Sequence, residues 1–326
     1  MATMDLSKEL ELVNQRITTS LASEDARMQE IMDWVLLGRG KQLRPQMVLL
    51  SGQFGKMNDE VYLFASIIEI LHMASLVHDD VIDNSTTRRG LESVQSKFGA
   101  SMAVYAGDFM LACVIDDALD VIGLRNYKFF FRAMKKLVYG ELGQVARVHD
   151  LDVTVEQYLA NIEGKTSSLF EIACRSGAKA AHAPAKYEDA LADFGKNYGM
   201  LFQICDDILD FSKLYMSDKP RMLDFVNGIY SLPLIYALQE HKEQIRQIQD
   251  DCDHYGMNTE RSTALKELIR ASGSLEKCEE KSRFYYREAM TALAKLPRIP
   301  ARDTLEEMTD QLLSTTLSSS AANFAV

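Results

Sequence analysis

Apolar positions recur along most of this chain at the spacing of one helix face, not at the alternating spacing of a strand. The helical pattern covers residues 61–83, 128–147, 154–177, 186–211, 229–249, 260–271 and 274–296. Breaks fall at Gly52/Gly55, Asn84–Gly90, His149–Val153, Ala181–Pro184 and Ser212–Gly228, and strand signals are nearly absent from the sequence. The pattern predicts an all-α, single-domain bundle of long helices over residues 1–326, with residues 1–20 and 314–326 peripheral or frayed.

Segment 61–83 carries its polar residues in one line along an otherwise apolar helix. These residues are Ser66, Glu69, His72, Ser75, Asp79 and Asp83, with spacings of 3, 3, 3, 4 and 4. Residues 194–211, "FGKNYGMLFQICDDILDF", repeat the arrangement with Lys196, Gln203, Asp206, Asp207 and Asp210. A surface helix shows the reverse, an apolar stripe on a polar cylinder. Each polar stripe is therefore expected to face a partner or a central cavity of the bundle.

Both segments contain the motif Asp-Asp-x-x-Asp. Its residues are Asp79, Asp80 and Asp83 in the first copy and Asp206, Asp207 and Asp210 in the second. Residues four apart share a helix face, so the outer carboxylates of each motif repel unless a cation lies between them. One copy is equally typical of a solvated helix end, but two copies on helices with polar stripes favour a metal site. Oxygen ligands alone suit a hard divalent cation, Mg²⁺ first. A di-iron bundle is excluded, because it needs two Glu-x-x-His motifs and the sequence has only Glu69-Ile-Leu-His72.

The overall charge, the cysteines and the N-terminal sequence narrow the possible functions and locations of the protein. The formal net charge is −11 at pH 7 and the pI is near 5.1, which argues against a nucleic-acid-binding protein. The five cysteines are odd in number and lie mostly among apolar neighbours, which favours a reduced, cytoplasmic protein. The acidic N-terminus resembles neither a secretory signal nor a transit peptide, and polar residues interrupt the apolar run 61–77, which argues against a membrane span.

Basic residues nevertheless cluster near the aspartate motifs. Arg88 and Arg89 follow the first motif, and Lys219 follows the second. "IEGKTSSLF" supplies Lys165, and "GRGKQLRP" supplies Lys41 and Arg44, three positions apart. Each base alone is typical of a solvated charge. Because Mg²⁺ is usually shared between a few carboxylates and substrate phosphates, carboxylates and bases together predict a diphosphate site.

The chain resembles the trans-type polyprenyl diphosphate synthases. The resemblance rests on "GKQLRP", "LHMASLVHDDVIDNSTTRRG", "GDFMLA", "GKTSSLF", "FQICDDILDF" and "DKP…D…G…SLP", in the order and spacing of that family. It covers roughly residues 35–235, and "HMASLVHDDVID" is most similar to the long-chain members, particularly the catalytic component of heptaprenyl diphosphate synthases. It implies the isoprenoid synthase fold and a prenyltransferase that repeatedly joins isopentenyl diphosphate to an allylic diphosphate such as farnesyl diphosphate. It also implies a homodimer, or a heteromer with a second subunit, and at most peripheral membrane contact for product release.

The resemblance also implies roles for individual residues. The principal Mg²⁺ ligands would be Asp79, Asp83 and Asp206, holding two or three ions with Mn²⁺ as a substitute, and the supporting carboxylates would be Asp80, Asp207 and Asp210. The allylic diphosphate contacts would be Arg88, Lys165, Gln203 and Lys219, with Thr166 beside the reacting carbon. The isopentenyl diphosphate contacts would be Lys41, Arg44, His72 and Arg89. His72 alone would more often be a core histidine.

Product length is expected to depend on the helix before the first motif. One helical turn advances about 5.4 Å, close to one extended isoprene unit. Ala74 and Ser75, one turn before Asp79, are small where short-chain members of the family have bulky aromatics, and Leu71 and Ile70 lie beyond them. We therefore expect a product of six to eight isoprene units.

Three positions depart from the family pattern, and two other functions stay open. Ile229 stands where the family often has lysine, Ser231 where it has threonine, and Asp218 where glycine is usual. These departures keep open a non-catalytic subunit that binds prenyl diphosphates. A terpene cyclase would share the fold, but its second metal site normally has an Asn/Ser/Glu pattern, whereas this one is rich in aspartate.

Overall fold

The computed structural model of the chain describes residues 5–121, 128–212 and 222–322. Its helices are α1 (Leu6–Ser20), α2 (Ala26–Leu37), α3 (Leu43–Gly52), α4 (Asp59–Ile82), α5 (Val94–Phe98), α6 (Ala100–Val121), α7 (Lys128–Val145), α8 (Val155–Ile162), α9 (Ser168–Ala180), α10 (Ala185–Ser212), α11 (Leu223–Val226), α12 (Leu232–Tyr255), α13 (Thr259–Ala271), α14 (Ser274–Ala294) and α15 (Pro300–Ala322). A π-helical turn, Glu163–Ser167, joins α8 to α9, and β1 (Thr87–Arg88) pairs with β2 (Leu91–Glu92) in an antiparallel hairpin. The predicted all-α class is confirmed.

Side-chain caps set several helix starts. The Asn58 side chain accepts hydrogen bonds from the N–H groups of Glu60 and Val61 at the start of α4. Thr154 and Gln157 form a reciprocal capping box at the start of α8. Such caps satisfy N–H groups that have no partner within the helix.

The chain divides into two compact units. The first comprises Met1–Phe131, Ile172–Ala192 and Pro297–Thr304, and the second comprises Arg132–Glu171, Asp193–Leu296 and Leu305–Val326. The expectation of a single domain stays a prediction.

Helix α4 is the core helix of the first unit and packs against α1, α3 and α6. It is long and apolar enough to cross a membrane by length and composition, yet 67% of its most apolar window is buried inside the protein. Its burial against these helices and α5 is that of a core helix.

Residues 1–20 and 314–326 were expected to be peripheral or frayed, and the described parts of both segments are helical and contribute buried side chains. Val13 and Ile17 are fully buried where α1 packs on α3 and α4, because residues four apart form one apolar face. At the other end, α15 continues to Ala322, and Thr316 within it is fully buried.

In the second unit, α12 packs against α8, α11, α13 and α14. The core that this packing encloses contains the buried side chains of Ile204, Ile208, Phe225, Leu232 and Leu234. It surrounds the end of α10 that carries the second aspartate motif.

Candidate active site

The first aspartate motif lies at the end of α4. Its middle residue, Asp80, is buried, and its Oδ1 accepts hydrogen bonds from Nε (2.9 Å) and Nη2 of Arg88. Asp79 is half-buried and Asp83 is exposed. The ion pair between Asp80 and Arg88 fixes the guanidinium that the resemblance assigns to the allylic diphosphate.

The second motif is arranged in the same way near the end of α10. Its middle residue, Asp207, is buried, and its Oδ2 accepts hydrogen bonds from the Tyr158 hydroxyl at 2.6 Å and the Leu232 N–H at 3.2 Å. Its Oδ1 accepts one from Gln203 Nε2 at 3.0 Å. Burial raises the pKa of Asp207 to about 7, against the opposing effect of these three hydrogen bonds. Because Leu232 begins α12, the carboxylate also lies at the positive end of a helix dipole.

The middle carboxylate of each motif is therefore hydrogen-bonded within the fold, and the outer two, four positions apart, lie on a different face of the helix. The outer carboxylates are those of Asp79, Asp83, Asp206 and Asp210. Asp206 and Asp210 are exposed. Among the described residues, no three histidine, cysteine or carboxylate side chains gather as a ready-made metal cage.

The middle carboxylate of the second motif orients the side chains beside it. The Thr166 hydroxyl donates a 2.8 Å hydrogen bond to Gln203 Oε1, and Gln203 in turn donates to Asp207. This chain of hydrogen bonds fixes which end of the Gln203 amide faces Thr166. Two of the predicted substrate contacts are thus brought together, and Tyr158, which sequence reasoning missed, anchors them through Asp207.

Thr166 and Lys165 lie on the π-helical turn, which interrupts the single helix predicted over 154–177. Lys165 Nζ lies 2.8 Å from Glu141 Oε2 on α7. The turn approaches α7 backbone to backbone: a Cβ on Gly140 would lie 2.4 Å from the Lys165 backbone nitrogen, and a Cβ on Gly164 would lie 2.9 Å from the Gly140 Cα. Only glycine permits this approach. Glu141 was also missed, although its place beside Gly140 in "YGELGQ" could have indicated it.

The predicted isopentenyl diphosphate contacts come from three segments of the first unit. Arg44 Nη1 lies 3.2 Å from His72 Nε2, and because arginine can only donate, the ring nitrogen accepts and the histidine is neutral. Burial lowers the pKa of His72 well below its usual range, and the charges of Arg44, Arg89 and Arg88 lower it further. Lys41 is exposed.

Arg89 occupies the two-residue turn between β1 and β2. Its φ of 53° is left-handed, as is the φ of 82° at Gly90, the pattern of a hairpin turn. Its Nη1 donates a 2.9 Å hydrogen bond to the Gly38 carbonyl. A Cβ on Gly40 would lie 2.5 Å from the Arg89 guanidinium carbon, so Gly40 makes room for that side chain.

The structure adds two charged residues to this basic cluster. Arg39 Nη2 donates to Thr18 Oγ1 at 3.0 Å, while its Nε is buried with no hydrogen-bond partner in the described structure. Glu69 is 1% exposed. Burial lowers the pKa of Arg39, and the Glu69 charge opposes this. Arg39 stands in "GRGKQLRP" and Glu69 in the polar stripe, so both signals were present in the sequence.

The predicted chain-length residues lie in the core of the first unit. Ile70 and Ala74 are fully buried and Leu71 is 4% exposed, whereas Ser75 is half-buried and donates a 2.9 Å hydrogen bond to the His72 carbonyl. A cavity of about 50 Å³ lies beside the first motif. Its lining includes Trp34, Met73, Leu76, Val77, Asp80 and Arg88. The four chain-length residues do not line this cavity.

Lys219 and Asp218 lie outside the described residues. The two other departures from the family pattern are at the start of α12. The Ile229 N–H donates to the Asp224 carbonyl at 2.7 Å, and Ser231 precedes the first residue of the helix. Ile229 and Ser231 therefore lie within three positions of Leu232, whose N–H donates a hydrogen bond to Asp207.

The sequence profile described as polyprenyl synthetase matches residues 25–271 of this chain. The chain belongs to the polyprenyl synthetase family. It is 31% identical over 309 residues to heptaprenyl diphosphate synthase component 2 of Bacillus subtilis, covering 94% of this chain and 87% of that protein. The crystal structure of a decaprenyl diphosphate synthase from Rhodobacter capsulatus matches with a TM-score of 0.88 and 29% identity, over 95% of this chain and 97% of that one.

A polyprenyl synthase from Caulobacter crescentus, complexed with calcium and isoprenyl diphosphate, matches with a TM-score of 0.86 and 29% identity, over 94% of this chain and 95% of that one. The family, the isoprenoid synthase fold and the enzyme class predicted from the sequence are confirmed: the chain is a prenyltransferase of the trans-polyprenyl diphosphate synthase type.

Proposed function

We propose that this synthase uses Asp79, Asp83 and Asp206 to bind Mg²⁺ and makes a product of six to eight isoprene units. The observation that supports the metal assignment is the shared arrangement of the motifs, with the middle carboxylate held by the protein and the outer two on another face. When bound, Mg²⁺ would neutralise the charge that develops on the leaving diphosphate. Asp210 would support it beside Asp206.

The reaction breaks the bond between the allylic carbon and the diphosphate oxygen, and the diphosphate leaves with the electron pair. The double bond of isopentenyl diphosphate forms the new carbon–carbon bond, and a proton leaves that unit. Arg88 and Lys165, both oriented by carboxylates, would bind the allylic diphosphate, together with Gln203 and Lys219. Thr166, held by Gln203, would lie beside the reacting carbon. Preorganised positive charge of this kind stabilises a developing anion without reorganisation.

Lys41, Arg44, His72 and Arg89 would bind the second diphosphate, that of isopentenyl diphosphate. The neutral state of His72 supports this assignment, because its ring nitrogen can accept a hydrogen bond from Arg44 Nη1 and so orient the guanidinium.

Incubation with radiolabelled isopentenyl diphosphate, farnesyl diphosphate and Mg²⁺ tests the proposal. Butanol-extractable diphosphates of six to eight units, measured by mass spectrometry, are expected. A hydrocarbon product would indicate a cyclase, and bound but unchanged substrate would indicate a non-catalytic subunit. Products of four units or fewer would contradict the proposed length.

We also propose that α7 docks a second protein chain, a second copy of this one in the first instance. Val138, Tyr139, Leu142 and Val145 form one face of α7 and are each more than half exposed. An apolar stripe of this size marks an interaction surface. Light scattering after size-exclusion chromatography should give a dimer, and Leu142→Lys should give a monomer. A wild-type monomer that becomes active only with another subunit would favour the heteromer.

A cytoplasmic location is supported by the five free cysteines.

A further inference from the structure

Glu69 is the one acidic residue of the first polar stripe to which the proposed reaction gives no role. It lies in the middle of α4, ten positions before Asp79, and it is 1% exposed. Its Oε2 has no hydrogen-bond partner in the described structure. A buried carboxyl oxygen without a partner is costly, so something else must favour its presence there.

The surroundings of Glu69 are strongly basic. Arg39 from the segment after α2, Arg44 from α3 and Arg89 from the hairpin turn all act on its charge. His72, one turn along α4, contacts Arg44 and is neutral. Three guanidiniums gathered in a partly buried site repel one another unless an anion lies among them. In the empty site, Glu69 is the buried carboxylate in position to supply that negative charge.

We propose that Glu69 is a positioning residue that serves as the internal counter-charge of the isopentenyl diphosphate site. Its negative charge stabilises the guanidiniums of Arg39, Arg44 and Arg89 before substrate binds. When a diphosphate binds, the diphosphate replaces Glu69 as their electrostatic partner. This inference rests on the proposed function, because it assigns Arg44 and Arg89 to the isopentenyl diphosphate.

A proton should follow the anion into the site. Burial raises the pKa of Glu69, and the charges of Arg44, Arg89 and Arg39 lower it. A bound diphosphate would cancel much of the lowering effect, so the pKa would rise further and Glu69 would take up a proton from the solvent. Binding would then weaken as the pH rises, by an amount that neutralising Glu69 should remove.

His72 is the rival proton acceptor, because its pKa is lowered by burial and by the same arginines. A bound anion would raise the pKa of His72 as well. The experiment must therefore separate the two groups. The titration of the diphosphate itself is common to every variant and cancels when variants are compared.

The test is calorimetric titration of the full-length protein with isopentenyl diphosphate between pH 6 and 8. It is run in two buffers of different ionisation enthalpy, which gives the number of protons bound. Wild type should take up more protons than Glu69→Gln, and His72→Asn should retain the Glu69 contribution. The ratio of the wild-type Kd to the Glu69→Gln Kd should rise with pH, by at most about tenfold if the pKa of Glu69 changes by one on binding. Asp59→Asn, which removes an exposed acid from the start of the same helix, should behave as wild type.

Kinetics distinguish positioning from a purely structural role. Glu69→Gln should change the KM for isopentenyl diphosphate and its pH profile, while the KM for the allylic diphosphate stays within twofold. Equal proton uptake in wild type and Glu69→Gln would overturn the inference, as would its loss in His72→Asn alone. If wild type does not bind isopentenyl diphosphate, the proposed function fails instead.

Discussion

Replacing Gly140 by alanine should force α7 away from the π-helical turn that carries Lys165 and Thr166. The added Cβ would lie 2.4 Å from the Lys165 nitrogen, 2.8 Å from the Asn161 carbonyl oxygen and 2.9 Å from the Gly164 carbonyl carbon. All three are backbone atoms, and the shortest contact is about 1 Å below an ordinary van der Waals separation. The alanine gains about 1 kcal/mol of helix propensity, but overpacking costs about 1–3 kcal/mol. We expect a net loss of up to about 2 kcal/mol in unfolding free energy.

The effect on activity should be larger than the effect on stability. A displacement of about 1 Å at a residue that positions substrate can lower the rate by about a hundredfold. We therefore expect kcat/KM for the allylic diphosphate to fall by roughly 10- to 100-fold. Urea denaturation followed by circular dichroism gives the first quantity, and steady-state rates give the second.

Gly143→Ala is the matched control on the same helix. Its Cβ would meet the side-chain oxygen of Asn161 at 2.3 Å and Arg147 Nη1 at 3.2 Å, and both side chains can rotate away. It should therefore stay close to wild type in stability and rate. The reasoning is refuted if Gly140→Ala is as stable and active as wild type, or if both variants are impaired to the same degree.

Three further predictions concern the metal, the product and the pH dependence of stability. Activity should be lost in EDTA and return with Mg²⁺ or Mn²⁺, and Asp79→Ala should lower kcat by several orders of magnitude without loss of helical circular dichroism; a wild-type rate in EDTA would contradict the metal assignment. Ser75→Phe should shorten the product to three or four isoprene units, as measured by mass spectrometry. Ser75 is a better site than Ala74, because Ala74 is fully buried and a larger side chain there would overpack. An active variant with unchanged product length would show that other residues limit the length of the product. Because the pKa of Glu69 is raised in the folded protein, its stabilising contribution is complete below its unfolded pKa and is lost as the pH rises through the folded value. In urea titrations, Glu69→Gln should therefore gain stability over wild type as the pH rises above the unfolded glutamate pKa of about 4.3, and a constant difference would contradict the raised pKa of Glu69.

The positions of the long helices could be predicted from the sequence because their apolar faces repeat over many turns. Segment 61–83 corresponds to Asp59–Ile82, and 186–211 to Ala185–Ser212. Both aspartate motifs were also predicted to end such helices, as they do. These features depend only on local spacing, so one chain is enough to reveal them.

The roles of the three aspartates within each motif could not be separated by spacing alone. Whether the middle carboxylate is buried depends on what packs against it. For Asp80 the partner is Arg88, eight positions later, and for Asp207 it is Tyr158, 49 positions earlier. The resemblance implies that Asp207 supports the metal site, and in the structure its oxygens accept hydrogen bonds from Tyr158, Gln203 and Leu232.

The π-helical turn could not be predicted from the sequence for a different reason. A local change from four-residue to five-residue hydrogen bonding shifts the helix face without leaving a break in the apolar pattern. The glycines Gly140 and Gly164 that accompany it lie in different segments, and their close approach exists only after folding.

The apolar character of α4 has a consequence for how the chain emerges from the ribosome. An exposed helix of this hydropathy would bind membranes or other unfolded chains. Two of its packing partners among the described residues, α1 and α3, precede it in the sequence, whereas α5 and α6 follow. Since synthesis runs from the N-terminus, α1 and α3 are already available to cover α4 when it emerges, and α5 and α6 complete its burial later. Deleting α1 would remove that early cover, so the order of the helices helps keep the nascent chain from aggregating.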